Sequence, residues 1–215
     1  MKMINPQPKA IIFDIGNVVL EWQPEHVLQS VFSVSNMPMM MEQTFLSPEW
    51  SAYDQGLIST KDLKEQLADK LECSNTAMEA LLQNVVIALR PIPEMIELLT
   101  KLKALGYPIY ALTNMPSDIF RSLLEEHLFW KLFDDIVVSS HIKLAKPDPK
   151  IFEFILAKHQ LKAAECIFLD DSKANVTSAK ALGFTTIKVI NFQQAIDDLS
   201  ELLDIEIVST KYLAD

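Results

Sequence analysis

The chain has 215 residues, of which 49% are hydrophobic, so it suits one sizeable globular unit or a core domain with a smaller insertion. Its formal net charge of −10 offers no clustered positive charge for nucleic acid or an anionic membrane, although a small anionic substrate is compatible with it. The opening MKMINPQPKA has no signal-peptide core, and Cys73 and Cys166 have no CxxC spacing. Since no apolar run reaches the roughly 18 residues of a membrane span, we expect a cytoplasmic protein.

Five short segments rich in β-branched and aromatic residues are predicted strands. Helical patterns separate them, and Gly106 and Gly183 stand where a helix needs a left-handed residue before the next strand. This alternation predicts an α/β fold, with a Rossmann-like, doubly wound parallel sheet of about five strands. Most of the predicted strands are nearly continuous apolar runs, as buried parallel strands are. They cover residues 10–14, 108–113, 135–139, 166–170 and 185–190.

Residues 20–90 interrupt the alternation. Helix-like patterns at 60–71 and 77–89 lie in this interval without a comparable strand, so we predict an inserted all-helical cap. The predicted domains are therefore a core of residues 1–19 and 91–215 and a cap of residues 20–90. The methionine-rich stretch 37–41 fits core filling, a helix start or an adaptable binding surface.

The apolar residues near the end of the chain predict a last helix. Ile196, Leu199, Leu202 and Leu203 have the spacing of an amphipathic stripe. We expect this stripe to pack back on the core domain.

Polar residues directly follow several of the predicted strands. Ligands bind beyond the carboxyl ends of strands in an open α/β sheet, so these positions carry functional information. Taken singly, each has a structural explanation, because Asp caps helices, Thr-Asn pairs form turns and a lone Lys is usually solvated. The residues are Asp14, Gly16 and Asn17 after the first strand, Thr113 and Asn114 after the second, Lys146 between the third and fourth, and Asp170 and Asp171 at the end of the fourth.

The adjacent pair Asp170-Asp171 differs in kind from the single signals. Two neighbouring carboxylates after a buried strand repel each other unless a cation or a helix N-terminus neutralises them. A metal ion is the economical explanation, and Mg²⁺ suits hard oxygen ligands that are held together with phosphate.

In this order, the four signals resemble the four motifs of the HAD (haloacid dehalogenase-like) hydrolase superfamily. The resemblance runs from Lys9 to about Ile190, and the ordered set is far more specific than any one motif. The Asp-x-Gly-Asn-Val opening and the FLDDSxxN signature at 168–175 are similar to those of bacterial sugar-1-phosphate phosphatases, typified by α-D-glucose-1-phosphate phosphatase. The resemblance implies a Mg²⁺-dependent phosphatase that acts on small phosphorylated metabolites, sugar phosphates in particular, through an aspartyl-phosphate.

The resemblance also implies roles for individual residues. Asp14 is the expected nucleophile, while the Thr113 hydroxyl and Lys146 stabilise the transferring phosphoryl group. The backbone N–H of Asn114 binds the same group, and Asn175 steadies Lys146 or the acidic loop that carries Asp170 and Asp171. The expected phosphate-binding residues are Asn17, Asn114 and Asn175. The expected metal ligands are Asp14, the carbonyl of Gly16, Asp170 and Asp171.

Gly16 departs from the usual pattern of these phosphatases. An Asp at that position normally protonates the leaving group, and such general acid catalysis is worth about 10²- to 10⁴-fold. A sugar-1-phosphate depends less on the acid because an anomeric oxygen leaves readily. Asn17, a cap residue or water are the candidate replacements, and the backbone conformation is a second explanation for Gly at this position.

Two other functions are compatible with the sequence. A 2-haloacid dehalogenase uses the same nucleophile without a metal, which leaves Asp170-Asp171 unexplained. A binding or regulatory protein that has lost turnover with Gly16 is the other alternative. In the cap, Trp22, Trp50 and Tyr53 either stack on a substrate ring or fill a core, and the sequence makes no prediction about oligomeric state.

Overall fold

The protein, described here from a computed structural model over residues 8–205, is built on one sheet of five parallel strands. The strands are β1 (Ala10–Phe13), β2 (Ile109–Thr113), β3 (Asp135–Val138), β4 (Cys166–Asp170) and β5 (Thr185–Lys188). Their spatial order is β3-β2-β1-β4-β5. The chain thus builds one side of the sheet and then returns to the other side of β1, which opens a crevice at the carboxyl ends of β1 and β4.

The predicted α/β fold with a five-stranded parallel sheet is confirmed. The register aligns Phe13 with Leu169, so the residues that follow β1 and β4 emerge side by side. Four of the strands are one or two residues shorter than predicted. β1 is one of these shorter strands, since it ends at Phe13 and not at Asp14. The Asp14 N–H still donates to the Leu169 carbonyl at 2.9 Å.

Side chains along each strand alternate between the two faces of the sheet, so both faces carry apolar side chains that need burial. Helices cover both faces. Ile11 and Phe13 belong to the larger core, whereas Ala10 and Ile12 belong to the second core on the other face. The helices are α1 (Pro24–Val31), α2 (Met37–Gln43), α3 (Pro48–Asp54), α4 (Thr60–Leu71), α5 (Asn75–Ala88), α6 (Pro93–Ala104), α7 (Ser117–Glu126), α8 (Ser139–Ile142), α9 (Pro149–Lys158), α10 (Lys173–Ala181) and α11 (Phe192–Leu203). Two 3₁₀ turns, Leu128–Leu132 and Ala163–Glu165, precede β3 and β4.

Helices α1 to α5 form the predicted helical cap between β1 and β2. The two chain segments that join it to the core run side by side, with the Glu21 N–H donating to the Arg90 carbonyl at 2.8 Å and the Ile92 N–H donating to the Val19 carbonyl at 2.9 Å. These segments coincide with the predicted domain boundaries at 19/20 and 90/91, which stay predictions. The methionine-rich stretch begins α2, where the Asn36 side chain accepts from the Met39 N–H and so caps the helix.

The glycine caps are observed as predicted, and the last helix needs one correction. Gly106 and Gly183 have φ values of 82° and 97° and end α6 and α10. In α11 the predicted apolar stripe is buried except at Leu202, which is 41% exposed because it lies on the solvent side of the helix. In the part of the chain that the structure describes, no helix is long and apolar enough to cross a membrane.

The loop after α3 fastens the cap to the core. The Gly56 carbonyl accepts from Lys143 Nζ, the Asp54 carbonyl accepts from the Ser139 hydroxyl, and Gln55 Nε2 donates to the Lys143 carbonyl at 2.8 Å. Gly56 has a φ of +68°, and a Cβ on it would lie 2.5 Å from the Ser140 carbonyl oxygen. Only glycine allows this close approach of the two backbones.

The substitution Gly56→Ala is therefore expected to lower the free energy of unfolding, because it adds a steric overlap with Ser140 to the cost of a positive φ. Overpacking of this kind costs about 1–3 kcal/mol. The matched control is Gly106→Ala, where φ is +82° but nothing lies within 4 Å of the new Cβ. Denaturant unfolding of both variants measures the difference, and equal losses would mean that the close approach at Ser140 is unimportant.

Candidate active site

The predicted catalytic residues converge on one open cavity of about 280 Å³ at the carboxyl edge of the sheet. A shared cavity is the first requirement for groups that act on one reacting centre. The residues that form its polar floor are Asp14, Gly16, Asn17, Thr113, Asn114, Lys146, Asp171 and Asn175. Asp170 lies directly beneath this floor and is fully buried.

A buried lysine joins two carboxylates at the centre of the floor. Lys146 Nζ lies 2.7 Å from Asp14 Oδ1 and 2.7 Å from Asp170 Oδ2, and its side chain is only 1% exposed. The Asp14 Oδ1 atom also accepts from the Ile15 N–H at 2.7 Å. Charge-assisted hydrogen bonds of this length are stronger than neutral ones, so they fix the orientation of the Asp14 carboxylate.

Burial sets the protonation behaviour of this pair. Burial raises the pKa of Asp14 to about 8, the charge of Lys146 opposes the rise, and the charge of Asp170 adds to it. For Lys146, burial alone lowers the pKa, but the charges of Asp14 and Asp170 outweigh it and hold the pKa above its usual value. The lysine is therefore a permanent cation, whereas Asp14 without a further cation tends to hold a proton.

The Asp170 carboxylate is occupied by protein donors. Its Oδ1 accepts from the Ser172 N–H at 2.7 Å and from Asn175 Nδ2 at 3.0 Å, while its Oδ2 accepts from Lys146 and again from Asn175. The predicted role of Asn175 in steadying the acidic loop and Lys146 fits this geometry. The same donors leave Asp170 better suited to hold Lys146 than to bind a metal ion directly.

Three carboxylates at the edge of the sheet lie close enough to share a cation. One oxygen each of Asp14, Asp170 and Asp171 lies within 4.8 Å of the others. Asp171 and the backbone of Gly16 line the cavity beside Asp14. Hard oxygen atoms of this kind are the ligands that Mg²⁺ prefers, so the donor set fits the predicted ion.

Asn17 holds the acidic loop from the β1 side. Its φ is 54°, a conformation that Asn tolerates better than most residues. Its Nδ2 donates to Asp171 Oδ2 at 3.0 Å and its Oδ1 accepts from the Trp22 N–H at 3.1 Å. Both ends of the amide are thus bonded within the protein, and its predicted contact with phosphate stays a prediction.

Thr113 and Asn114 form the β2 side of the floor. The Asn114 side chain pairs with the backbone of Lys146, since its Oδ1 accepts from the Lys146 N–H at 2.9 Å and its Nδ2 donates to the Lys146 carbonyl at 2.8 Å. These two hydrogen bonds hold the loop that carries Lys146 against the end of β2. The Thr113 side chain is buried and lines the same cavity as Asp14, as its predicted role requires.

Gly16 is not required by the backbone, which corrects one of the two sequence explanations for it. Its φ is not positive, and a Cβ on it would meet only Trp22 Cβ at 4.0 Å. The left-handed residue of this loop is Asn17 instead. Gly16 therefore affects the chemistry of the site and not its backbone, because the floor lacks the carboxyl group that usually stands at this position.

The cap supplies an aromatic wall, formed by Trp22, Phe45 and Trp50, above the polar floor. Trp22 and Phe45 meet edge to face with ring centroids 5.1 Å apart, and Phe45 and Trp50 meet in the same way at 4.6 Å. All three line the cavity, so Trp22 and Trp50 serve both as cap core and as cavity wall. Tyr53 is a core residue whose hydroxyl donates to Asp118 at 2.6 Å.

Among the charged residues that line the cavity in the described part of the chain, Asp54 is the one that the sequence analysis missed. It is the last residue of α3 and lines the same cavity as Asp14. Burial holds the pKa of Asp54 well above its usual value. No local pattern marks this residue, because it comes from the cap and reaches the cavity only when the cap is docked.

Comparisons with known proteins agree with this architecture. The profile of a family described as haloacid dehalogenase-like hydrolase matches residues 8–183. The sesquiterpene phosphatase astK of Aspergillus oryzae is 31% identical over 195 residues, which are 91% of this chain and 96% of that protein. A phosphoglycolate phosphatase of Vibrio parahaemolyticus is 31% identical over 129 residues, which cover 54% of this chain and 57% of that protein.

The fold is also found among solved structures. The HAD family enzyme bt-2542 of Bacteroides thetaiotaomicron has a TM-score of 0.75 and 21% identity, over 92% of this chain and 98% of that chain. A second structure of that enzyme, in complex with magnesium and inorganic phosphate, has a TM-score of 0.71 and 20% identity, over 84% of this chain and 93% of that chain.

The raised pKa of Asp14 predicts that Mg²⁺ binding depends on pH. Below about pH 8 the metal-free Asp14 holds a proton, so binding must release it, and the apparent Kd for Mg²⁺ should rise about tenfold for each pH unit below 8. Above that pH the Kd should level off. Titration calorimetry in buffers of different ionisation enthalpy measures both the Kd and the released proton. A Kd that is constant from pH 6 to pH 8 would contradict this prediction.

Proposed function

Since the chain belongs to the haloacid dehalogenase-like hydrolase family, we propose that it is a Mg²⁺-dependent phosphatase that hydrolyses phosphate monoesters of small organic molecules. The observation that carries this proposal is the buried contact of Lys146 with Asp14 beside Asp170 and Asp171. It combines a carboxylate nucleophile, a fixed cation and a second cation site at one reacting centre. Phosphoryl transfer requires this kind of positioning and charge compensation.

In the proposed mechanism, Asp14 attacks phosphorus and forms an aspartyl-phosphate, which water then hydrolyses. Oδ1 of Asp14 accepts from both Ile15 and Lys146, and these two hydrogen bonds orient the carboxylate for the attack. Lys146 stays protonated throughout and offsets the charge that collects between the carboxylate and the phosphoryl oxygens. The alcohol leaves as its oxygen receives a proton.

Thr113 and Asn114 bind the phosphoryl group in this mechanism. The Thr113 hydroxyl and the Asn114 backbone N–H donate to its equatorial oxygens, where negative charge develops. The Asn114 side chain acts separately, because its two hydrogen bonds with the Lys146 backbone keep the lysine loop at the end of β2. Donors fixed in this way need little rearrangement when the substrate binds.

We assign the Mg²⁺ ligands to Asp14, the Gly16 carbonyl and Asp171, with Asp170 holding Lys146 and Asn175 beneath them. When bound, the ion supplies charge neutralisation at the phosphoryl oxygens. Asn17 orients the Asp171 carboxylate through its Nδ2 hydrogen bond. A structure of the Bacteroides thetaiotaomicron enzyme holds magnesium and inorganic phosphate, which supports the choice of Mg²⁺ as the ion.

The substrate is an organic phosphate, and its class is the open part of the proposal. The two phosphatase relatives are named for very different substrates, a sesquiterpene compound and phosphoglycolate. The finer expectation of a sugar-1-phosphate stays a prediction, supported by the motif resemblance and by the leaving-group argument at Gly16. The side chains that form the cavity walls provide an independent criterion for the class of the substrate.

Phosphate release from p-nitrophenyl phosphate tests the proposed activity. The substitution Asp14→Asn should reduce kcat by at least about 10³-fold, because it removes the nucleophile. Removal of Mg²⁺ by a chelator should abolish turnover, and added Mg²⁺ should restore it. As a control, Glu153→Gln changes an exposed residue of α9 and should leave the rate unchanged.

The same assay separates the alternative functions. Halide release from 2-chloropropionate that persists after chelation would identify a dehalogenase instead. Absence of both phosphate and halide release would favour a binding or regulatory protein.

A further inference from the structure

We propose that the organic part of the substrate is apolar, so that the enzyme hydrolyses the phosphate ester of a hydrocarbon alcohol. This inference rests on the proposed phosphatase function and concerns the same cavity. The cavity is divided into two regions of opposite character. The phosphate-binding floor is polar, and the space above it is bounded almost entirely by apolar side chains.

The composition of the walls carries the inference. Twelve of the twenty residues that line the cavity lie outside the polar floor, and eleven of these twelve are apolar. Among the residues that the structure describes, Asp54 is the exception. A sugar in this space would lose water from several hydroxyl groups and find few hydrogen-bonding partners to replace it, so it would bind less well than a hydrocarbon group.

Both domains contribute to the apolar walls. The aromatic wall and Val85 come from the cap, whereas Met115 and Ile119 come from the core, just after β2 and in α7. A hydrocarbon group between them would be removed from water on both sides. Burial of apolar surface is favourable without directed hydrogen bonds, so this arrangement binds a hydrocarbon more readily than a polyol.

The size of the cavity and its apolar border agree with a hydrocarbon substrate. Its volume of about 280 Å³ is near the lower end of the usual range for small-molecule sites. Leu46, which is 68% exposed, stands at its border and extends the apolar surface to the entrance. A chain longer than the cavity can therefore continue along this edge.

A series of n-alkyl phosphates from ethyl to octyl, compared with glucose 1-phosphate and glucose 6-phosphate, tests the proposal. The value of kcat/KM should rise about fourfold for each added methylene until the cavity is full, because each one is buried. Both glucose phosphates should be hydrolysed more slowly than butyl phosphate. Equal rates along the alkyl series, or faster hydrolysis of glucose 1-phosphate than of octyl phosphate, would overturn the inference.

Two methionines of α2 provide a matched pair of variants. Met41 lines the cavity, whereas Met39 is 49% exposed and lies outside it. Met41→Gln should flatten the dependence on chain length, and Met39→Gln should leave it unchanged. Equal slopes in the two variants would overturn the assigned wall. Activity on p-nitrophenyl phosphate keeps the tests apart, because its absence would reject the proposed function itself.

A different observation supports a second inference: we infer that Asp54 is the general acid and base that the floor lacks at Gly16. Asp54 reaches the catalytic cavity from the cap. Over residues 8–205, its carboxylate has no hydrogen-bonding or ion-pair partner, although its backbone carbonyl accepts from Ser139. A partly buried carboxyl group without a partner is costly unless it has a task there.

The surroundings of Asp54 suit a proton donor. Burial raises the pKa of this carboxyl well above its usual value, which favours the protonated form that a general acid requires. The loop that follows it is fixed to the core through Gly56 and Lys143. The cap thereby delivers an acid to the cavity from a different part of the chain than the usual one.

Asp54 loses one proton and regains one proton in each proposed reaction cycle. As Asp14 attacks phosphorus and the bond to the leaving oxygen breaks, Asp54 gives its proton to that oxygen and becomes a carboxylate. Water then attacks the aspartyl-phosphate, and Asp54 takes a proton from it as the Asp14–phosphorus bond breaks. The products are the alcohol and inorganic phosphate, and Asp54 is protonated again.

Asp54→Asn tests this role through the leaving group. Hydrolysis of butyl phosphate should fall by about 10²-fold or more, whereas p-nitrophenyl phosphate, whose phenolate leaves without a proton, should lose less than about threefold in the first step. Single-turnover measurements isolate that step. Asp69→Asn, at an exposed position of α4, is the matched control and should change neither rate. Equal losses for both esters, or no loss for either, would overturn the assignment.

Discussion

The site depends on one buried arrangement of charges, the Lys146 ammonium group between the carboxylates of Asp14 and Asp170. Taking a lysine out of water costs several kcal/mol unless close partners compensate, and here two carboxylate oxygens lie 2.7 Å away. Asp170 is held in turn by Ser172 and Asn175. Asp14, the proposed nucleophile, therefore keeps its orientation through a set of hydrogen bonds that extends from β4 into α10.

This arrangement also explains why the site attracts a cation. One ammonium group faces the two carboxylates that it contacts, and Asp171 adds a third beside them. Burial raises the pKa of Asp14, the charge of Asp170 adds to the rise and the charge of Lys146 opposes it, so the ionised form that the proposed nucleophile needs is disfavoured. A divalent ion removes this conflict. Metal binding and activation of Asp14 are thus two consequences of the same electrostatics.

The cap adds a second environment that the core domain does not provide. Its loop at Gly56 approaches the Ser140 backbone so closely that a side chain would not fit, and this contact brings Asp54 and the aromatic wall over the polar floor. The result is a cavity with charges at one end and hydrocarbon at the other. Such a division suits an amphiphilic substrate, and it allows the acid missing from the first loop to be replaced from the cap.

The sequence by itself determined the sheet and the floor of the site. Strand ends are read from short apolar runs, and parallel strands align their carboxyl ends, so Asp14, Thr113 and Asp171 had to meet at one edge. Only the tertiary structure decided which residues of the cap enter the cavity, because their positions depend on how the cap docks on the core. Asp54 ends α3 and Phe45 lies in the turn between α2 and α3, so no strand end marks either residue. Docking is set by side-chain packing and by the approach at Gly56, and neither leaves a periodic pattern in the sequence.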